Sequence, residues 1–287
     1  MIAQAFDYQA PDSLAAVLQS LADDRVKPLA GGMSLIPMMK LRLAAPEILV
    51  DLRQVAELRS IKIDDGHLAI GAMVTHYELE STPLVRNSCP LLAAAAASIG
   101  DVQIRNRGTI GGAVAHADPA ADYPAALLAM DTELILASAT GQRSVPAGEF
   151  FLDPFTTALL PGELITQLRI PVESPGTGTA YEKRVQSASG FAVVGIAARV
   201  QRSGGKVTSA RLGVTGLGPK PYRAAHVEQL LEGTSASTEE IRQAAQVVAE
   251  GIDANSDVHA SAEYRCHLAR VLTAKALAIA TVRAGAA

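Results

Sequence analysis

Two Gly-Gly pairs constrain this chain more than any other feature: Gly31-Gly32 in LAGGMSLIP (29–37) and Gly111-Gly112 in RNRGTIGGA (105–113). Paired glycines admit positive φ, and their missing Cβ lets backbone approach another group closely. The first pair follows an extended piece, Val26 to Ala30, and precedes apolar-periodic residues from Ser34 to Leu43, so a helix is expected to begin near Ser34. A helix that starts directly after a glycine turn presents free N–H groups to a phosphate, and the Ser34 hydroxyl would add a donor. Two such turns would clasp a pyrophosphate from both sides. Each pair alone more commonly means a tight turn with no ligand. Neither string is GxGxxG or GxxxxGK[ST], so neither a dinucleotide-type Rossmann turn nor a P-loop is supported.

The rest of the chain places these turns. Asp12 or Ser13 can cap a first helix whose apolar positions are Leu14, Val17, Leu18 and Leu21. Strand, glycine turn, helix and the strand-like Ile48-Leu-Val-Asp-Leu52 then describe a small α/β unit. Strands are expected at 68–73, 133–137 and 164–170, an alanine-rich helix at 91–99, and a shorter helix at 123–129. The segment between those helices, with Gly108, Gly111 and Gly112, reads as a loop. Pro171 and Ser174-Pro-Gly-Thr-Gly178 read as a linker. Beyond it, 179–185, 191–201 and 207–215 form an antiparallel meander with a tight turn at Ser203-Gly-Gly. Helices are expected at 224–231, 238–251 and 262–283, with Thr238 a cap for the second.

Composition excludes several functions. Net charge of −4 gives no footprint for nucleic acid, and no polybasic stretch suits an anionic membrane. No signal peptide or membrane-length apolar run is present, so a cytoplasmic protein is expected. The two cysteines, Cys89 and Cys266, lie far apart and offer neither a disulfide framework nor a CxxC site. An iron–sulfur cluster needs about four thiolates, so any cluster must belong to a partner. His116 with Asp118 and Asp122 lacks a second histidine at ligand spacing, and no metal site is assigned. Ser34 has no matching His/Asp pair, and no general acid–base pair stands out.

The strings AGGMSLIPMMKLRL (30–43), LVDLR (49–53), IGAMVTH (70–76), QIRNRGTIGG (103–112), AHADPAADYPA (115–125), GELITQLRIP (162–171) and YEKR (181–184) run in order along nearly the whole chain. In them the chain resembles the FAD-binding medium subunits of bacterial molybdenum hydroxylases, a family that includes the subunits of carbon monoxide, quinoline and nicotine dehydrogenases. The resemblance implies an α+β fold: a two-lobed FAD-binding domain of the vanillyl-alcohol-oxidase-like type at 1–173, with lobes at about 1–55 and 56–173. A C-terminal domain at 178–287 would combine a three-stranded antiparallel sheet with helices. It implies one non-covalent FAD, with Leu29, Ala30, Gly31, Gly32, Met33, Ser34 and Leu35 on the pyrophosphate and neighbouring ribose. Thr109, Ile110, Gly111, Gly112 and Ala113 would hold the other side of the phosphates. Asp122 aligns with a carboxylate contacting ribityl or adenosine hydroxyls, with Asp118 close by; Ile165 would pack near the flavin and Lys183 near its polar edge.

Some positions depart from the family. Ala113 stands where many members have asparagine, and Met33 where histidine or glutamine is frequent. Ser189-Gly-Phe191 replaces a Gly-Asp-Tyr segment, so Phe191 would stack without a hydroxyl, or serve as ordinary core. The implied partners are a small subunit with [2Fe–2S] clusters and a large molybdenum–pterin subunit, as a dimer of heterotrimers. This chain would then pass electrons from the clusters through FAD to an external acceptor. A free-standing FAD oxidoreductase and a non-catalytic nucleotide-binding module are the competing readings. The substrate of the complex stays open among carbon monoxide, an aldehyde and a nitrogen heterocycle, with RNRGTIGG and AHAD leaning toward the last.

Overall fold

In the computed structural model, which describes residues 2–285, the first Gly-Gly pair lies inside a parallel sheet unit. Strands β1 (Asp7–Gln9), β2 (Val26–Leu29) and β3 (Ile48–Asp51) pair in the order β1-β3-β2. Parallel neighbours require crossovers, supplied here by α1 (Leu14–Ser20) and α2 (Leu35–Lys40). Of the two capping candidates, Ser13 caps α1, its hydroxyl accepting from the Ala16 amide. Val17, Leu21, Val50 and Leu52 close a small core with Met73 and Leu164 of the next lobe.

The second lobe is an antiparallel sheet, β4 (Ile61–Asp64), β5 (His67–Gly71), β6 (Glu133–Ser138), β7 (Gly141–Pro146) and β10 (Leu164–Pro171), ordered β4-β5-β10-β6-β7. Six helices fill the connection from β5 to β6: α3 (His76–Ser81), α4 (Pro83–Ser88), α5 (Pro90–Ala97), α6 (Val102–Arg105), α7 (Ile110–His116) and α8 (Asp122–Ala129). The short α9 (Ala147–Phe150) and the hairpin β8 (Phe151–Asp153) with β9 (Thr156–Thr157) lead back to β10. The expected loop between the alanine-rich helix and α8 is therefore mostly helical, with Gly111 and Gly112 in the first turn of α7. Two side-chain caps commit it: Asp101 accepts from Ile104 N at 2.9 Å, and Thr109 accepts from Gly112 N at 3.2 Å.

The C-terminal meander consists of β11 (Thr177–Val185), β12 (Ala192–Ser203) and β13 (Lys206–Thr215), extended at its edge by the two-residue β14 (Tyr222–Arg223). Three helices follow, α10 (Ala225–Leu231), α11 (Thr238–Gln246) and α12 (Ala262–Gly285). Ser237, not Thr238, caps α11: its hydroxyl accepts from the Glu240 amide, and the Glu240 carboxylate accepts from Ser237 N at 2.7 Å. A capping box sets the acid three positions after the cap, which holds for Ser237 with Glu240 and fails for Thr238. Among the described residues no helix is long and apolar enough to cross a membrane.

Register explains how the two regions join. Gly213 pairs with Ala197, which pairs with Tyr181, so these residues share one face of the sheet; Gly178 pairs with Val200 on the other. A Cβ on Gly178 would lie 2.0 Å from the Ala280 carbonyl oxygen of α12. A Cβ on Gly213 would lie 1.9 Å from the Ala125 oxygen of α8, whose residues are all buried. The C-terminal sheet is thus packed between its own last helix and a helix of the second lobe.

Candidate cofactor site

The two glycine stretches meet. Gly32 turns the chain with φ of +76° between β2 and α2, and Gly31 lies flat on the backbone of the second stretch. A Cβ on Gly31 would fall 2.1 Å from the Arg107 carbonyl oxygen and 2.8 Å from the Gly108 Cα. From the other side, a Cβ on Gly112 would sit 3.4 Å from the Ala30 methyl. Residues 29–35 and 107–113 are therefore brought side by side where the two lobes meet, backbone against backbone at Gly31.

The two sides offer different chemistry. On the first, Ser34 makes no side-chain capping bond, and among the described residues the amides of Gly32, Met33, Ser34 and Leu35 have no acceptor within the chain. Such amides suit an anion. On the second, Ile110 N donates to the Val74 oxygen at 3.0 Å and Gly111 N to the Ala72 oxygen at 2.9 Å. Gly112 N is taken by the Thr109 hydroxyl. The expectation of a second row of free donors is corrected accordingly: this stretch adds a wall and one exchangeable hydroxyl contact. Gly111 is required by packing, because its Cβ would lie 2.4 Å from the Ala72 methyl. Ile165 is buried in the core beneath that wall, next to Thr166, whose carbonyl accepts from Ala72 N.

Asp118 folds back to accept from Ala120 N at 2.8 Å, and Gly216 N and Ala192 N donate to the Pro119 and Ala120 carbonyls. This docks the 118–121 loop on the ends of β12 and β13. Asp118, Pro119, Gln186, Ser189, Phe191, Asn255 and His259 border a cavity of about 240 Å³. Phe191 is 41% exposed there, so it is not an ordinary core residue.

Asp122 and Lys183 are brought together by the packing of α8 on the C-terminal sheet. Tyr181 and Lys183 stand two apart on β11 and face α8, where Asp122 is the first helical residue. The Asp122 carboxylate accepts from Tyr181 Oη at 2.5 Å and from Lys183 Nζ at 2.9 and 3.0 Å. Both oxygens are engaged in a buried pair, and the carboxylate caps no amide of α8. Burial pushes the Asp122 carboxyl upward, while Lys183 and Tyr181 pull it back.

A second buried pair lies behind the cleft and was not singled out from sequence. His76 Nδ1 is 2.8 Å from Tyr123 Oη, and a Cβ on Gly108 would lie 2.4 Å from His76 Nε2. Burial, with the charge of Arg105, lowers the His76 imidazole to about 4. The alignment of Thr75 with Thr109 in a β-bridge makes this contact, and no local pattern announces it. Cys89 is fully buried, and burial raises its thiol to about 12; among the described residues no group of His, Cys, Asp and Glu forms a metal site.

The N-terminal region thus sets two glycine stretches backbone against backbone, and a sheet-and-helix domain packs on α8 of its second lobe. Residues 4–173 match the family described as FAD binding domain in molybdopterin dehydrogenase, and residues 179–280 match the CO dehydrogenase flavoprotein C-terminal domain. The chain belongs to this family, the FAD-binding medium subunits of molybdenum hydroxylases. It is 39% identical to the glyceraldehyde dehydrogenase medium chain of Sulfolobus acidocaldarius, over 94% of this chain and 96% of that one. It is 38% identical to the carbon monoxide dehydrogenase medium chain of Hydrogenophaga pseudoflava, over 99% of each. The structure of quinoline 2-oxidoreductase from Pseudomonas putida 86 superposes with a TM-score of 0.94 at 34% identity, over 99% of both chains.

Proposed function

We propose that the chain binds one FAD in the cleft between its N-terminal lobes and passes electrons from iron–sulfur clusters of a partner to an external acceptor. The contact of Gly31 with the Arg107-Gly108 backbone carries this reading, because it joins the two distant glycine stretches of a family FAD-binding domain into one surface. Residues 29–35 would hold the pyrophosphate through their free amides and the Ser34 hydroxyl. Thr109, Gly112 and Ala113 would wall its other side, with Ile110, Gly111 and Ile165 supporting that wall from the core. Asp118 would meet ribityl or adenosine hydroxyls, and Phe191 would flank the ring. Bound FAD supplies the ability to exchange electrons singly or in pairs; the protein orients it and sets its electrostatic surroundings.

The partners rest on membership of the family, whose relatives are named as medium chains. A small iron–sulfur subunit and a large molybdenum–pterin subunit would complete a dimer of heterotrimers, and the two cysteines of this chain, fewer than the usual four thiolates, agree with clusters housed in the partner. The three substrate classes open from the sequence all recur among the relatives, so this chain does not rank them. Relatives at 39, 38 and 38% identity are named for glyceraldehyde, 6-hydroxypseudooxynicotine and carbon monoxide. A flavin subunit that never touches the substrate has no reason to track it.

The test is spectroscopic and compositional. Purified protein should show flavin absorption and release FAD on denaturation, and mass spectrometry should find two further chains in the complex. A chain that neither carries nor takes up FAD would refute the reading. Gly112→Asp should abolish FAD retention while the fold persists by circular dichroism, because it sets a negative charge beside the phosphates.

A further inference from the structure

We propose that His76 is a positioning residue for the phosphate half of the cofactor site, setting through Gly108 where the second glycine stretch meets Gly31. Gly108 does not take a positive φ, so its backbone conformation does not demand glycine; its surroundings do. A Cβ there would lie 2.4 Å from His76 Nε2 and 2.8 Å from His76 Cδ2, and the next obstacle, the Ile104 carbonyl oxygen, stands at 3.1 Å. The imidazole edge therefore fills the place of a side chain at position 108. The Gly108 Cα in turn lies 2.8 Å from where Gly31 would carry its Cβ. One ring thus packs against the residue on which the first glycine stretch rests.

Two sets of contacts hold that ring in place. On the main chain, His76 N donates to the Gly108 oxygen and Ile110 N to the Val74 oxygen, both at 3.0 Å, on either side of the Thr75–Thr109 bridge. This pairing fixes the separation of the two segments but leaves the imidazole free to rotate. Tyr123 removes that freedom, its Oη lying 2.8 Å from His76 Nδ1, with both residues buried. Tyr123 is the second residue of α8, and Ala125, two positions on, bears on Gly213 of β13. The ring consequently ties the helix that seats the C-terminal sheet to the stretch that faces Gly31. Movement at Gly108 is passed to the next residue, Thr109, whose hydroxyl accepts from Gly112 N.

The inference rests on the FAD reading for its ligand, and a compensating pair of substitutions tests it in the full-length chain with its partner chains, freed of flavin and titrated with FAD. His76→Ala should weaken FAD binding about tenfold or more where circular dichroism shows the fold intact. Gly108→Ala should weaken it as well, by pushing the ring aside. In the double variant the new methyl takes space the ring has left, so FAD affinity should return toward the wild-type value. Its resistance to urea should stay as low as in His76→Ala, because the bond to Tyr123 is still missing. A histidine that only fills the core would move affinity and stability together. Wild-type affinity in His76→Ala, or losses that add in the double variant, would overturn the proposal. If His76→Ala fails to accumulate, Tyr123→Phe removes only the hydroxyl that orients the ring, and wild-type affinity there is equally fatal. Hydrogen exchange gives a readout that needs no flavin. The Gly108 and Ile110 amides, bonded to the Ile104 and Val74 oxygens, should exchange about tenfold faster in His76→Ala while those of β12 and β13 stay protected. This local change in a protein that takes up no FAD would refute the FAD reading and keep His76 as the residue that positions the stretch; unchanged exchange overturns that role.

Discussion

The carbonyl oxygen of Arg107 occupies the space where Gly31 would carry a side chain, 2.1 Å from the position of a Cβ. Gly31→Ala must push the two halves of the cleft apart, because the obstacle is backbone. Overpacking of this kind costs about 1–3 kcal/mol, and 2 kcal/mol falling on the bound state alone weakens binding about thirtyfold. The flavin-to-protein ratio after dialysis should fall sharply in Gly31→Ala and less in Gly112→Ala. At Gly112 the tight neighbour, at 2.9 Å, is the Thr109 hydroxyl, which can rotate. Equal retention by both variants would remove the Gly31 contact from the explanation.

Acid should loosen the protein through His76. Its imidazole sits against Tyr123, and burial holds it at about 4, below the ordinary 6.5. As pH falls, the unfolded chain takes up the proton first. The stability tied to the neutral ring is therefore complete above pH 6.5 and declines from there to about pH 4. Each pH unit of that gap is worth about 1.4 kcal/mol, so the loss reaches roughly 3 kcal/mol. Urea midpoints measured at pH 7.5 and 5 should differ less in His76→Gln, which keeps a polar partner for Tyr123. A variant with the wild-type pH slope would assign the effect to other groups.

The parts of this fold legible from sequence are those whose own side chains carry the signal. Val17 and Leu21 repeat at helical spacing and are buried; Gly204 and Gly205 both take positive φ in the expected hairpin. By contrast β1, Asp-Tyr-Gln, is exposed throughout, and β7 is exposed at most positions. Both are edge strands held by backbone pairing with a neighbour, so no apolar alternation marks them. The cleft divides in the same way. Glycine pairs advertise a turn, but that Gly31 meets Arg107, or that Lys183 meets Asp122 and Ser98, depends on segments far apart in the chain. Alternation along β11 puts Tyr181 and Lys183 on one face; only the pairing through β12 to β13 says that α8 covers it.

The capping residue of α11 is a case where one position decides the outcome. Ser237 makes both bonds of the capping box with Glu240, and Thr238 is already helical. Ser237→Ala should cost about 1 kcal/mol, as lost caps do, and Thr238→Ala should leave stability nearly unchanged or slightly raised. Chemical denaturation of the two single variants is sufficient, and a larger loss for Thr238→Ala would reverse the assignment.

The seat of α8 on the C-terminal sheet makes the sharpest demand on a single glycine. At Gly213 the chain passes so near the Ala125 carbonyl that an added methyl would lie 1.9 Å from it, and neither partner is a side chain that can turn away. Gly213→Ala must therefore lift α8 from β13 or bend the strand, at about 1–3 kcal/mol or more. Gly148→Ala is the matched control: it lies in α9, nothing stands within 4 Å of the new methyl, and helix propensity alone favours alanine by up to about 1 kcal/mol. Since α8 begins at Asp122, movement at Gly213 also pulls on the Asp122–Lys183 pair, whereas Gly148→Ala leaves it alone. Thermal melts should separate the two variants in opposite directions, and hydrogen exchange at 186–191 should rise only in Gly213→Ala. Should that exchange stay at the wild-type level while the melting temperature falls, the helix seat and the 186–191 loop are mechanically independent.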